Sequence, residues 1–459
     1  MDLFLAVIFI LVVSSLGWLM LNLLGGGSFG LSQWHLFYPI GVGLLTYSLF
    51  MISWIGLPIN LALISALSAA GLVTQVFLLS RRASGRTSRG EPLAKSYGVT
   101  DTWPALTLAI GGIAILFFAA AVLSVGKSYS SWDGMAIWSV KGYGIAREGT
   151  IFAGRDWGSH QLSYPLNLPL QISSFDLLTD DWLPHSKLIF PLYYLSLLVG
   201  LYSFLRRHTS QLQATLGSLL VATSPIVFDH ATIGYANLPF STYLVLGILS
   251  LIDGGLGRNR PLEATGSLML GLAAWTRPEG IYLVSISAAA LWVAFRISRT
   301  GNPSALRWVV PVLILALPWQ AFTVLGGYQA SATSSLRSTL SMWAHNEFRW
   351  FDAYWIARYF AWQATQHEYW GIAVPAIVLV LLASGRRIRV RGNPVGMLLT
   401  VVVTVALLTM GGYFYIISAG GDPDFLLSTS VERLLMPAMI LGIVGSTILM
   451  PARARAEPG

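Results

Sequence analysis

Residues 104–134 read PALTLAIGGIAILFFAAAVLSVGKSYSSWDG. From Pro104 to Gly126 no side chain is charged; the run then breaks at Lys127 into a polar, aromatic stretch that holds Asp133. An apolar run of this kind matches the roughly 17–25 residues that cross the hydrocarbon core of a bilayer as a helix. The stretch therefore reads as a membrane-crossing helix that delivers a carboxylate to one edge of the membrane.

The same pattern recurs from end to end. Comparable runs at 3–24, 36–55, 57–80, 104–126, 187–205, 211–229, 238–253, 263–275, 281–295, 308–326, 371–384, 394–417 and 433–450 give about thirteen spans on hydropathy. The first lacks a basic leader and is followed by glycines rather than a small-residue cleavage site, so it reads as a mature helix. Composition agrees with an all-α, polytopic transmembrane helix bundle. The chain is 55% hydrophobic and 10% charged, with mean hydropathy +0.65, whereas a soluble domain carries about 25% charged residues. There is no cysteine, which excludes disulfides and thiolate metal sites.

The net charge of +8 raises the question of a nucleic-acid partner, and the placement of the charges answers it. With the first helix running from outside to inside, the inner segments collect Arg81, Arg82, Arg86, Arg89, Lys95, Arg206, Arg207, Arg258, Arg260, Arg296, Arg299, Arg307, Arg386, Arg387, Arg389, Arg391, Arg453 and Arg455. Acids concentrate on the other side. This is the positive-inside asymmetry of a membrane protein, so the expected partner is a lipid bilayer and not a nucleic acid. The C-terminus is then cytoplasmic. Two long segments face outward, at about 127–186 and 327–370. The second is crowded with aromatics, among them Trp343, Phe348, Trp350, Phe351, Tyr354, Trp355 and Trp362, which suits interfacial helices. The stretch from Trp132 to Ile145 reads the same way. The expected organisation is 1–103 as N-terminal helices with a basic inner linker, 104–450 as the main membrane region, and 451–459 as an inner tail.

Candidate chemistry lies on the outer side. Asp133 follows the fourth span and reads either as a general base for an acceptor hydroxyl or as the cap of the helix after it. Asp156 and His160 lie in Arg155-Asp-Trp-Gly-Ser-His160, followed by Tyr164-Pro-Leu-Asn-Leu-Pro169. Arg277 sits in Trp275-Thr-Arg-Pro-Glu-Gly280. An outer arginine needs a counter-charge, and either Glu279 or an anionic head group supplies it. Glu432-Arg433 opens the last span and reads as another adjacent pair, or as a capped helix start. No H-E-x-x-H spacing, GxGxxG turn or GxxxxGK[ST] loop occurs, so neither a metal nor a nucleotide cofactor is expected.

This layout resembles the GT-C superfamily of membrane glycosyltransferases, which includes the dolichyl-phosphate-mannose protein mannosyltransferases and the bacterial aminoarabinose transferases. The likeness covers about residues 104–450. It rests on Asp133 after a transmembrane helix, the His-x-x-x-Tyr-Pro-Leu segment of residues 160–166 with Asp156 before it, the stretch from Gly271 to Gly280, and Leu427-Ser-Thr-Ser-Val-Glu-Arg433. Two features depart from it: three helices precede the loop-bearing part where relatives have one, and Trp-Asp-Gly stands where many carry paired acids. The resemblance implies inverting transfer of a sugar from a polyprenyl-phosphate donor to a lipid, glycan or protein acceptor outside the membrane. In that scheme Asp133 is the base and Asp156 a second carboxylate. Arg277, with Arg433 or Lys141, binds the donor phosphate, and His160, Tyr164 and Glu279 complete the substrate site. Three other classes fit a polytopic chain: a flippase for a lipid-linked glycan, an O-antigen polymerase or ligase relying on His345, Arg349, Arg358 and His367, and a scaffold without chemistry.

Overall fold

The computed structural model describes residues 2–25, 31–84, 103–153, 162–179, 185–299, 305–326, 350–384, 394–418 and 422–450. All of the regular structure among them is helical. The N-terminal helices are α1 (Asp2–Gly25), α2 (Phe37–Trp54), α3 (Leu61–Ser84) and α4 (Trp103–Val125). A π-helical turn, Asp133–Ser139, leads into α5 (Val140–Glu148), and α6 is Asn167–Thr179. Then come α7 (Ile189–His208), α8 (Gln211–Ala222), α9 (Pro225–His230), α10 (Asn237–Gly257), α11 (Arg260–Ala274), α12 (Gly280–Ser298) and α13 (Ala305–Leu325). The chain closes with α14 (Trp350–Ala364), α15 (His367–Trp370), α16 (Ala373–Ser384), α17 (Pro394–Ser418) and α18 (Pro423–Leu449).

Ten helices among the described residues are long and apolar enough to cross a membrane. The other three expected spans are shorter. Ser224-Pro225 breaks the run at 211–229 into α8 and α9, because proline cannot continue the helix before it. The spans at 263–275 and 371–384 are helices of 15 and 12 residues. The last span differs most. Its helix starts at Pro423, where Asp422 caps it by accepting from the Asp424 and Phe425 amides, so Arg433 lies well inside a helix and not at its start.

Contacts sort the helix ends into two groups. Arg207 and His208 at the end of α7 bind Asp253 near the end of α10, at 2.5 and 2.7 Å. Thr215 of α8 donates to Ala105 O of α4, and Gln213 donates to Met450 O after α18. Ser384 of α16 donates to Leu449 O, and Trp308 of α13 to Glu263 of α11. Of the arginines that the sequence gathers inside, several among the described residues fall at this end of the bundle: Arg206 and Arg207 in the last turn of α7, Arg258 at the C-cap of α10, and Arg296 and Arg299 at the end of α12. The opposite end carries the carboxylates and arginines described below.

The first two helices belong to the same packed body. Gly17 of α1 and Gly41 of α2 meet at a backbone crossing: a methyl on Gly17 would sit 1.9 Å from Phe37 O, and one on Gly41 1.8 Å from Val13 O. Only glycine permits that approach. Helix α6 lies within the segment at 127–186 that the sequence predicts to face outward, yet Asn167 to Phe175 is wholly buried. The Trp132–Ile145 stretch has one packed and one open side: Ile137, Trp138 and Ile145 are core residues, while Trp132 and Met135 are exposed.

Candidate functional site

Asp133 opens the π-helical turn. Trp132 is the cap residue of that turn and makes no side-chain cap bond, so the capping role considered for Asp133 does not hold. Its Oδ2 instead accepts from Arg433 Nη1 at 2.5 Å, across 300 positions of sequence. The turn is docked from below: Ser131 Oγ donates to Ile233 O at 2.8 Å, and a Cβ on Gly134 would press on that same oxygen at 3.1 Å. A larger residue after Asp133 would lift the carboxylate off the 231–236 loop.

Arg433 is thus partnered by Asp133, and not by its sequence neighbour Glu432. Its guanidinium also lies over the Tyr235 ring, 5.1 Å from the centroid, a cation–π geometry. Its Nε is buried without a partner, as is Glu432 Oε2.

Arg277 occupies the turn between α11 and α12, where its Nε donates to Glu279 Oε1. Here the adjacent pair is the one anticipated. The turn is tight, because a Cβ on Gly280 would meet Ala273 O at 2.7 Å. Beneath it runs a buried polar chain. Thr276 Oγ1 accepts from Asn167 Nδ2 at 2.8 Å; Asn167 Oδ1 accepts from Thr46 at 2.7 Å and from Gln171 at 3.0 Å. Gln171 continues to Tyr193 at 3.0 Å, Tyr193 to Tyr243 at 2.7 Å, and Tyr243 donates to Pro39 O at 2.6 Å. Buried polar groups cost stability unless paired. This chain links groups of α2, α6, α7, α10 and the Arg277 turn, leaving Gln171 Oε1 without a partner, and so fixes that turn relative to the bundle.

Tyr164 stands between these groups. Burial raises its hydroxyl pKa, and Arg277, Glu279, Asp133 and Arg433 all act on it electrostatically. Burial would by itself weaken the charge on Arg277, but Glu279, Tyr164 and Asp133 outweigh it and raise the arginine pKa further. The two carboxylates, the two arginines and the tyrosine therefore form one electrostatic assembly, drawn from four separate parts of the chain. Lys141 is buried on the flank, its Nζ 5.8 Å from the Tyr164 ring centroid, with Trp138 against the same ring at 5.6 Å. Desolvation pulls its pKa down to about 7. On the other side an aromatic cluster of Phe50, Trp54, Trp275, Trp319 and Phe322 packs beside the turn, and Trp319 Nε1 donates to Ser163 O.

Asp156 and His160 lie outside the described residues, as do 327–349, most of the inner linker and the tail from 451. Among the described residues no group of three His, Cys, Asp or Glu side chains is placed to hold a metal. Of the histidine and arginine set considered for a polymerase, Arg358 lies over the Trp355 ring and His367 begins α15.

Sequence reasoning passed over His230 and Tyr235. His230 ends α9, with its ring 5.7 Å from that of Tyr235, and Tyr235 bears on Arg433. The signal was present in the run from Ser224 to Pro239, where proline, Asp229, His230, Gly234 and Asn237 interrupt an apolar reading. The chain matches no protein-family model, no curated protein and no solved structure, so the chemistry of the site rests on its own residues.

Proposed function

We propose that this chain is an integral membrane glycosyltransferase of the GT-C kind, moving a sugar from a polyprenyl-phosphate donor to an acceptor hydroxyl at the extracytoplasmic face of the cell membrane. The observation that carries this reading is the meeting of Asp133, Arg433, Arg277, Glu279 and Tyr164 at one end of the bundle. A carboxylate held beside arginines suits a displacement in which a proton is taken and a phosphate is released.

In the proposed step, Asp133 takes the acceptor proton on Oδ1 while Arg433 holds Oδ2. The acceptor oxygen bonds to the anomeric carbon from the face opposite the phosphate, and the carbon–oxygen bond to phosphate breaks with inversion. The electron pair leaves with polyprenyl phosphate, whose added charge is met by Arg277. That leaving group departs as an anion and needs no general acid, in keeping with a site of carboxylates and arginines. Lys141 contributes a positive charge only below a pH of about 7. The bundle would cross the membrane thirteen times, with α8–α9, α11 and α16 as its short crossings and the arginine-rich end in the cytoplasm.

The test uses purified protein in nanodiscs with a panel of radiolabelled polyprenyl-phosphate sugars and lipid acceptors. Asp133→Asn is expected to lower turnover by about 10²–10⁴-fold, the usual contribution of a general base. Arg277→Ala is expected to lower it by about 10²-fold through loss of leaving-group stabilisation. Turnover unaffected by Asp133→Asn would remove the base from that position. Labelled donor that crosses vesicles with its sugar intact would replace the enzyme with a transporter.

A further inference from the structure

We propose that His230, Tyr235 and Arg433 form a subsite for a hydroxyl group of the sugar, covered by the Tyr235 ring until substrate enters. The proposal rests on the glycosyltransferase reading, and it gives a role to His230 and Tyr235, which that reading does not use.

His230 is buried, and its Nδ1 lies 2.9 Å from Ile226 O. A carbonyl oxygen only accepts, so Nδ1 carries the proton. A charged imidazole here would be buried with no counter-ion and with Arg433 and Arg277 nearby, so the ring is neutral. Its Nε2 is then a bare acceptor, and it has no hydrogen-bond partner. The Arg433 Nε–H is a buried donor in the same state. Both groups lie against one ring: Tyr235 is 5.7 Å from the His230 ring at 76° and 5.1 Å from the Arg433 guanidinium.

The chemistry of the missing partner follows from these two atoms. A phosphate or carboxylate oxygen satisfies Arg433 but has no proton to give His230. An ammonium group has a proton for His230 but no lone pair for Arg433. A hydroxyl carries both. Tyr235 is the part able to yield: it is only partly buried and follows Gly234, whose φ of +92° marks a turn that only glycine adopts easily. When the ring swings aside, a ligand hydroxyl takes over the contacts it covered.

The test uses geranyl phosphate, bare and carrying glucose, mannose or arabinose, with wild type, His230→Leu and His230→Gln in nanodiscs. His230→Leu is expected to weaken binding of the preferred sugar-bearing probe by about tenfold or more and to leave bare geranyl phosphate unchanged. His230→Gln, whose carbonyl oxygen still accepts, is expected to restore most of that loss. Equal weakening of bare and sugar-bearing probes, or weakening of neither, overturns the subsite and leaves the glycosyltransferase reading standing. Wild-type protein that binds none of the probes removes both. A second readout needs no variant to fold: in wild-type protein labelled with ¹⁵N-histidine, the His230 Nε2 resonance is expected to move upfield with the sugar-bearing probe and stay in place with bare geranyl phosphate. A resonance already at a hydrogen-bonded position and unmoved by sugar means that water fills the place, and overturns the proposal.

Discussion

Lys141 is 2% exposed and held at a pKa of about 7, against 10.5 for a free lysine. Between those values the unfolded chain binds a proton that the folded chain does not, so stability rises with pH across that window and gains nothing further above it. Thermal melts in detergent from pH 7 to 10 are therefore expected to show a rising Tm, and Lys141→Met to flatten the rise while melting higher at pH 7. A slope unchanged in Lys141→Met would mean that some other group titrates. Residues of this kind were legible because charge is rare in this chain, so Asp133, Arg277, Arg433 and Lys141 stood out. Their partners were only half legible. Arg277 does take the nearest acid, Glu279, because a tight turn brings them together. Arg433 does not take Glu432, because neighbours on a helix point in different directions and the partner arrives from another element. His230 was missed because a single histidine inside an apolar run carries no spacing to read.

At the scale of elements, long uncharged runs were readable because a bilayer-length helix leaves a plain signature. What the runs did not reveal was where helices break or begin under local control: the Ser224-Pro225 stop, and the Asp422 cap that lengthens α18 toward its N-terminus. Helix α6 was hidden for a different reason. Asn167, Gln171, Ser173 and Ser174 make it polar in sequence, yet each is buried, with Asn167 bonded to Thr46 and Thr276 and the Gln171 amide N–H to Tyr193, all from outside the helix. Helix crossings give a sharp prediction. Gly41→Ala places a methyl against the Val13 carbonyl and is expected to cost about 3 kcal/mol, at the upper end of overpacking penalties. Gly111→Ala meets nothing within 4 Å and is expected to be neutral or slightly stabilising, since alanine favours helix over glycine. Equal melting temperatures for the two variants would contradict the close approach of α1 and α2.

At the scale of the molecule, arginine placement in the sequence predicts a separation of charge into two ends, and the described arginines Arg206, Arg207, Arg258, Arg296 and Arg299 gather at one of them. The absence of native cysteine makes the orientation testable directly. Met135 is 45% exposed near Asp133, and Arg299 lies at the opposite end. With Met135→Cys and Arg299→Cys in intact cells, a membrane-impermeant maleimide is expected to label the first at once and the second only after permeabilisation. The reverse order would turn the protein over in its membrane.

The ion pair between Asp133 and Arg433 also has a meaning in the time order of synthesis. A ribosome delivers Asp133 early and its arginine 300 residues later, after most of the helices have entered the membrane. Through that interval the carboxylate waits at the edge of the lipid without its counter-charge. The site is therefore closed by a helix that arrives long after Asp133, and a chain stopped short of α18 would hold Asp133, Tyr164, Arg277 and Glu279 without the arginine that pairs with Asp133.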